Sequence, residues 1–405
     1  MTKPTRPASW RRDFRWYWTG YSVSRIGDFS TEVVLPLVAY AETHSPVAVG
    51  VVAAMAPITA ITFGLGAGEL ADRADHRRIL LTTDAIRLVT MAAIAAAVAG
   101  GTGGIVALSI AALILGGATI VHDATEVPAL TLVVPHDGLV AANARFVGSD
   151  AAANVGGPPL GGALVSLGTP AAALAFDAAS FALSFATTTR VDALRRPART
   201  VNTADATDRQ RLGDGFRALR ANKLVWRAAL LVATTNVVAV GLNAQFVPYA
   251  RQTLHMGALG VGVFWSLAGA VTAATLTVVG RSKRVRPDLI AACTGLYSLG
   301  VLVAGLWPSL YTAAGAFVFT GIGLAVGLTH WSALRQQQFP TEMLGRVTMA
   351  SRIVLTAGMA VAMVGGGFVS KALGPPALFV ALGVFGLAAL ALIGPKLLQA
   401  QQQPS

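Results

Sequence analysis

Cysteine is all but absent from this chain: the single residue, Cys293, lies inside an apolar stretch. One thiol cannot close an intramolecular disulfide, and no metal-ligand spacing surrounds it, so a small buried apolar residue is its plain role. Charge is scarce too. Only 12% of the residues are charged while 54% are hydrophobic, whereas a soluble domain carries about 25% charged residues. The chain therefore reads as a polytopic membrane protein. Acids are scarcer than bases, 19 against 31, for a net charge of +12. Such a balance raises nucleic acid as a partner, but the bases sit in the N-terminal tail and in alternate loops, which suits a membrane and no nucleic-acid face. There is no nucleotide-binding P-loop and no nucleophile–base constellation, so neither ATP hydrolysis nor other enzyme chemistry is expected, and no metal or cofactor.

What is present is a run of long apolar segments. A span needs about 20 mainly apolar residues, and the chain offers candidates at 16–41, 47–70, 79–99, 104–127, 140–166, 170–189, 228–250, 258–280, 288–306, 310–333, 348–370 and 376–395. The first resembles a signal peptide only superficially, since Arg25, Asp28 and Glu32 interrupt it. Residues 191–222 are rich in Arg, Asp and Thr and read as a solvated cytoplasmic linker. They part an N-terminal bundle, 1–190, from a C-terminal one, 223–405. Lys and Arg crowd the N-terminal tail, the loop after the second span, the linker and the loop after the eighth span. Both termini are therefore expected on the cytoplasmic side. Trp16, Trp18, Trp307 and Tyr311 fall near span ends, as interfacial aromatics do. The halves echo each other: Pro135-His-Asp-Gly-Leu139 precedes span 5 and Pro340-Thr-Glu-Met-Leu344 precedes span 11. An internal repeat implies an all-α protein of two six-helix bundles with a substrate site near the midplane.

An ionised residue at the bilayer centre costs roughly 2.5–3.5 kcal/mol on insertion scales, so charges within spans need partners or water. Arg25, Asp28 and Glu32 are spaced i, i+3, i+7 and share one face of the first span. Asp150 lies about 16 Å into span 5, at 1.5 Å per residue, with Asn154 a turn further, and Asp177 lies inside span 6. Asp28, Arg25, Glu32 and Asp150 are candidates for proton coupling. For Arg25 and Asp28 a permanent structural pair is the alternative, and for Asp177 a helix brace. A shallower set comprises Asp84 and Arg87, also i, i+3; His122, Asp123 and Glu126; and Asn143 with Arg145. With the loop after span 2 these form a candidate cytoplasmic latch, or simply hold loops by salt bridges. No second histidine stands at ligand spacing from His122. In the second half Asn236 and Asn243, i, i+7, with Phe246 a turn on, make a stripe that suits either a substrate cavity or interhelical contact. Asn154 and Asp177 are candidates for the same cavity, whereas Gln245 points the other way.

The loop after span 2 reads Gly68-Glu-Leu-Ala-Asp72-Arg73-Ala-Asp-His-Arg77-Arg78. Its pattern, G-x-L-A-D-R-x-x-x-R-R, closely resembles the signature loop of the major facilitator superfamily, which implies a secondary transporter and a gate role for Gly68, Asp72, Arg73, Arg77 and Arg78. Gly157-Pro158-x-x-Gly161-Gly162 resembles the core of the antiporter motif of drug-exporting facilitators, although Ala144 and Ala153 replace its upstream glycines. Ser24-Arg-Ile-Gly-Asp28, Thr83-Asp-Ala-Ile-Arg87, Asp123 with Pro128, Ala142-Asn-Ala-Arg145 and Asp177-Ala-Ala-Ser-Phe181 are similar to the branch of macrolide-efflux proteins and the enterobactin exporter. Ala112 stands where many drug exporters carry a span-4 arginine. The resemblance implies a monomeric bacterial inner-membrane exporter of a small hydrophobic or amphipathic compound, such as a drug, antibiotic or siderophore. It would work by exchange for protons, with neither a cofactor nor nucleic acid as partner. An importer or uniporter of a metabolite on the same fold is the alternative.

Overall fold

A computed structural model describes residues 10–73, 75–195, 208–281 and 284–402, without the side chains of Gly68, Asp72 and Arg73. Among the described residues every regular element is a helix. In the first half these are α1 (Trp10–Thr43), α2 (Pro46–Arg73), α3 (His76–Ala99), α4 (Ile105–Val133), α5 (Leu139–Leu167) and α6 (Pro170–Thr189). Then follow α7 (Asp208–Ala221), α8 (Lys223–Gln252), α9 (Ala258–Val279), α10 (Pro287–Leu306), α11 (Leu310–Gln338), α12 (Thr341–Thr356), α13 (Met359–Leu373) and α14 (Pro375–Gln402). Ten stretches are long and apolar enough to cross a bilayer, and one of them, Met343–Leu373, runs through α12 and α13. The eleventh span, expected as a single helix, is thus interrupted at Ala357 and Gly358, where Gly358 comes close to Val237 of α8. The spans that fall short of the apolar criterion are α1 and α5. They carry Arg25, Asp28, Glu32 and Asp150.

Local chemistry sets the helix ends. Asp75 caps α3 by accepting from the backbone N–H groups of Arg77 and Arg78. Thr169 caps α6 ahead of Pro170, and Ser309 with Thr312 forms a capping box on α11. Gly374, at φ 87°, ends α13 in a conformation that favours glycine. The helix α1 starts six residues before the expected span. Its first turns pack on the single helical turn Asp192–Arg195: Asp13 Oδ2 accepts from the Ala193 N–H at 2.9 Å and Arg12 pairs with Asp192 at 2.6 Å. The stretch between the halves, read as a solvated linker, includes the helix α7. Phe216 and Leu219, one turn apart, give it an apolar side that joins the core of α8, α11 and α12, with Leu219 wholly buried.

The chain divides into two compact units, one drawing on Met1–Thr43, Met55–Thr203 and Ala258–Ser266, the other on His44–Ala54, Ala204–Gly257 and Leu267–Ser405. In the second unit the core is apolar, built on Val225, Leu231, Trp331 and Val347. Some of its buried polar groups pair locally, as in the Thr235–Thr294 hydroxyl pair at 2.9 Å. The first unit is different. An aromatic base of Phe14, Tyr17, Tyr21 and Phe146 lies beneath a layer of buried charge.

Small residues let α1 lie close to two neighbours. A Cβ at Gly157 of α5 would stand 2.7 Å from Phe29 Cβ and 3.1 Å from the Ile26 carbonyl, and one at Gly161 would stand 2.6 Å from the Ser30 carbonyl. Gly20 and Gly27 do the same for α1 against α6, where a Cβ at Gly27 would collide with the Asp177 carboxylate. Gly162 meets the backbone of Ala258 and Leu259 at the start of α9. Pro158 and Pro159 sit inside α5 without breaking it. Pro159 has no N–H for the Val155 carbonyl, and Ser266 Oγ of α9 donates to that carbonyl instead, at 2.6 Å. Gly157→Leu forces a branched side chain into the α1–α5 crossing, so it is expected to cost at least about 1–3 kcal/mol. Thermal unfolding in detergent checks this, and an unchanged melting curve would show that the crossing is loose.

Candidate functional site

The charges of the first unit meet because their helices enter the bundle in step. Arg87 lies 11 residues from the start of α3, Asp150 lies 11 from the start of α5, and His122 lies 11 from the end of α4. At 1.5 Å per residue each stands about 16 Å from the same end of the unit. The sequence divides these residues into a deep set and a shallow set. The structure joins them into one cluster, because α4 runs six residues past the expected span and so carries Asp123 and Glu126 deeper.

Arg25 is the hub. Its Nη2 donates to Asp123 Oδ1 at 2.9 Å and to Glu126 Oε2 at 3.2 Å. Nε lies 3.3 Å from Asp150 Oδ1, and Nη1 lies 3.7 Å from Asp28 Oδ2. The guanidinium also lies over the Tyr21 ring, and the Tyr21 hydroxyl donates to Asp150 Oδ1 at 2.7 Å. One cation therefore serves four carboxylates from α1, α4 and α5. A second hub, Arg87, is 1% exposed. Its Nη2 donates to Asp84 Oδ1 and its guanidinium lies 4.5 Å from the centre of the Phe181 ring. Asp84 Oδ2 accepts from Ser184 Oγ at 2.8 Å, which ties α3 to α6.

Asp28 lies between the two hubs. Its Oδ2 stands 3.7 Å from Arg25 Nη1 and 3.8 Å from Arg87 Nη1, and it is buried without a hydrogen bond. A carboxylate held by two cations through space, and by neither through a hydrogen bond, can change its protonation without breaking one. The cluster also holds five carboxylates, Asp28, Asp84, Asp123, Glu126 and Asp150, against two guanidinium groups. An acid excess inside a bundle is a place for exchangeable protons.

The remaining candidates fall elsewhere. Glu32 is exposed on α1 and makes none of the ion pairs of the cluster. Asp177 is buried and accepts from Thr31 Oγ1 at 2.5 Å and Ser180 Oγ at 3.0 Å, bracing α6 against α1. Asn154 is half-buried. Of the latch candidates, Arg77 donates to the Thr189 carbonyl at 3.4 Å and Arg78 pairs with Asp75 at 3.6 Å. Asn143 donates to Leu139 within its own helix, and Arg145 lies over Phe14 and Trp18 rather than over an acid. The side chains of Gly68, Asp72 and Arg73 lie outside the described residues. In the second unit Asn236 donates to the Leu355 carbonyl at 3.3 Å and also lines a small cavity with Thr235, Ile290 and Cys293, and Asn243 is half-buried. Phe246 lies in the core of the second unit. It is wholly buried, edge-on to Phe317 at 4.5 Å. Gln245 points away from the asparagine stripe, as expected, and donates to the Pro46 carbonyl at 3.1 Å.

Sequence reasoning passes over Tyr21 and Ser184, and it meets Thr83 and Phe181 only as the ends of family-like segments. Tyr21 had a visible signal, since it precedes Arg25 by four residues on the same helical face. Ser184 follows Asp177 by seven, but nothing in the sequence ties it to Asp84.

Apolar spans gathered around buried ion pairs with an excess of acid define a polytopic membrane transporter. The model of the Major Facilitator Superfamily matches residues 17–287, and the chain belongs to that family. A bacterial homologue of the iron transporter ferroportin, solved inward-facing, superimposes with a TM-score of 0.77 at 15% identity, over 97% of this chain and 99% of that one. A bacterial homologue of the human lysosomal transporter Spinster gives 0.72 at 15% identity, over the whole of both chains. A mutant of the nucleoside transporter NupG gives 0.75 at 11% identity, over 95% and 99%. At such identities the likeness is one of fold. No curated protein matches the chain.

Removing one partner of the Asp84–Arg87 pair leaves a charge stranded in the bundle. Asp84→Ala is expected to cost about 3–5 kcal/mol, read as a large fall in melting temperature. Arg217→Ala removes a cation from an exposed pair with Asp214 and should leave the stability within about 1 kcal/mol of the parent, read as a nearly unchanged melting temperature. Equal effects would contradict the burial argument.

Proposed function

We propose that the protein is a proton-coupled exporter that moves a small hydrophobic or amphipathic compound, such as a drug, antibiotic or siderophore, out of the cell in exchange for protons. The observation that carries this reading is Asp28, between Arg25 and Arg87 and without a hydrogen bond on Oδ2. The ionised carboxylate satisfies both cations. The protonated form releases them to the four other acids, so proton uptake redistributes the ion pairs that join α1, α3, α4 and α5. A proton moving inward gains about 2.3 kcal/mol per 100 mV of potential, which drives extrusion with no cofactor. Export rather than import is supported by the Gly157-Pro158-x-x-Gly161-Gly162 segment and by the likeness of the first half to the macrolide-efflux and enterobactin-exporter branch. The crowding of Lys and Arg in alternate loops supports a bacterial inner-membrane location with both termini cytoplasmic. The unit of transport is taken to be a monomer, because the charge cluster draws on a single chain.

In proteoliposomes with an imposed pH gradient, Asp28→Asn is expected to reduce uphill efflux of a dye or drug to the level of empty vesicles. Downhill exchange should partly survive. Full gradient-driven efflux in that variant would move the proton site to Asp150.

A further inference from the structure

His122 takes no part in the exchange just described, yet it makes the one contact of Arg87 Nη2 that is not with an acid. The residue is buried, and its Nδ1 lies 3.0 Å from Arg87 Nη2, 3.0 Å from Thr83 Oγ1 and 3.5 Å from Asp84 Oδ1. A guanidinium nitrogen carries only hydrogens, so Nδ1 meets it as an acceptor and the ring is neutral, with its proton on Nε2. The Thr83 hydroxyl is within donating range of the Ile79 and Leu80 carbonyls. Arg87 Nη2 thus commits its two hydrogens to Asp84 and His122, and only Nη1 faces Asp28, at 3.8 Å.

Among the described residues the charged and titratable groups around the ring come from α1, α3 and α4 itself, while α2 packs on α4 through Thr59 and Phe63. Asp84 and Arg87 belong to α3, Arg25 and Tyr17 to α1, and Asp123 and Glu126 to α4 itself. Asp192 and Arg195 lie against the far end of α4 and pair with each other at 3.4 Å. None of them replaces the acceptor that His122 offers Arg87.

We propose that His122 is a positioning residue for proton exchange: as a neutral acceptor it pins Arg87 onto Asp84 and holds the guanidinium back from Asp28. The inference rests on the reading of Asp28 as the proton site. Without that acceptor the guanidinium is free to close on Asp28, and a nearer cation favours the ionised carboxylate. Exchange then needs a more acidic driving side.

The test compares His122→Leu with His122→Asn, whose carbonyl can accept near the position of Nδ1, and runs Asp28→Asn beside them. Gradient-driven efflux is measured against pH. His122→Leu is expected to move the profile to lower pH by about one unit or more, and His122→Asn to return it towards the parent. A rate lowered equally at every pH, or two variants that behave alike, would overturn the inference. If His122→Leu does not fold, nitrogen NMR of the imidazoles decides. The signal lost in His122→Asn should report a bare Nδ1 and a protonated Nε2 in the parent, and a protonated Nδ1 would overturn the proposal. Retained uphill efflux in Asp28→Asn alone would instead remove the underlying reading, while the NMR result still tests the hydrogen bond.

Discussion

Two guanidinium groups inside one bundle constrain much of the first unit. Each would be prohibitive in hydrocarbon alone, so each gathers acids from neighbouring helices: Arg25 from α1, α4 and α5, Arg87 from α3 and α1. The helices must then run in step, since a slip of one turn would carry a carboxylate about 5 Å out of reach. Asp28 is where the two hubs meet. Any change in its charge is felt by both.

The close crossings follow from the same requirement. Short ion pairs from α1 to α5 need backbones that nearly touch, and Gly157 and Gly161 give that approach along α1. Asp177, with both oxygens satisfied by Thr31 and Ser180, fixes α6 against the opposite side of α1. One carboxylate of the bundle thus serves as a brace and another is left without a hydrogen bond. Full hydrogen bonding rigidifies and incomplete bonding leaves room for change. That contrast, more than depth in the membrane, separates the structural acid from the one proposed to exchange a proton.

Much of this was legible in the sequence. The spans and the i, i+3, i+7 spacing of Arg25, Asp28 and Glu32 are local patterns, and periodicity suffices to read them, whereas Asp72 and Arg73, read as part of a loop, fall in the last turn of α2. The glycines beside Pro158 also signal close packing without a structure. Helix length is less legible: α4 runs beyond its apolar stretch, and so Asp123 and Glu126 belong with Arg25 rather than at a surface latch. Partnership between helices is not legible at all. Glu32 sits on the right helix but joins none of the cluster's ion pairs, and Phe246 continues an asparagine stripe only to turn into the core. Tyr21, Ser184 and His122 gain their meaning from residues dozens of positions away.

The central claim is that the exchangeable proton sits on Asp28. Infrared difference spectroscopy of the purified protein through a pH titration tests this without knowledge of the substrate. The account predicts a carboxylic-acid C=O band that grows as the pH falls in the parent and is missing from Asp28→Asn. The same band at full strength in Asp28→Asn would contradict it and place the proton on another carboxylate of the cluster.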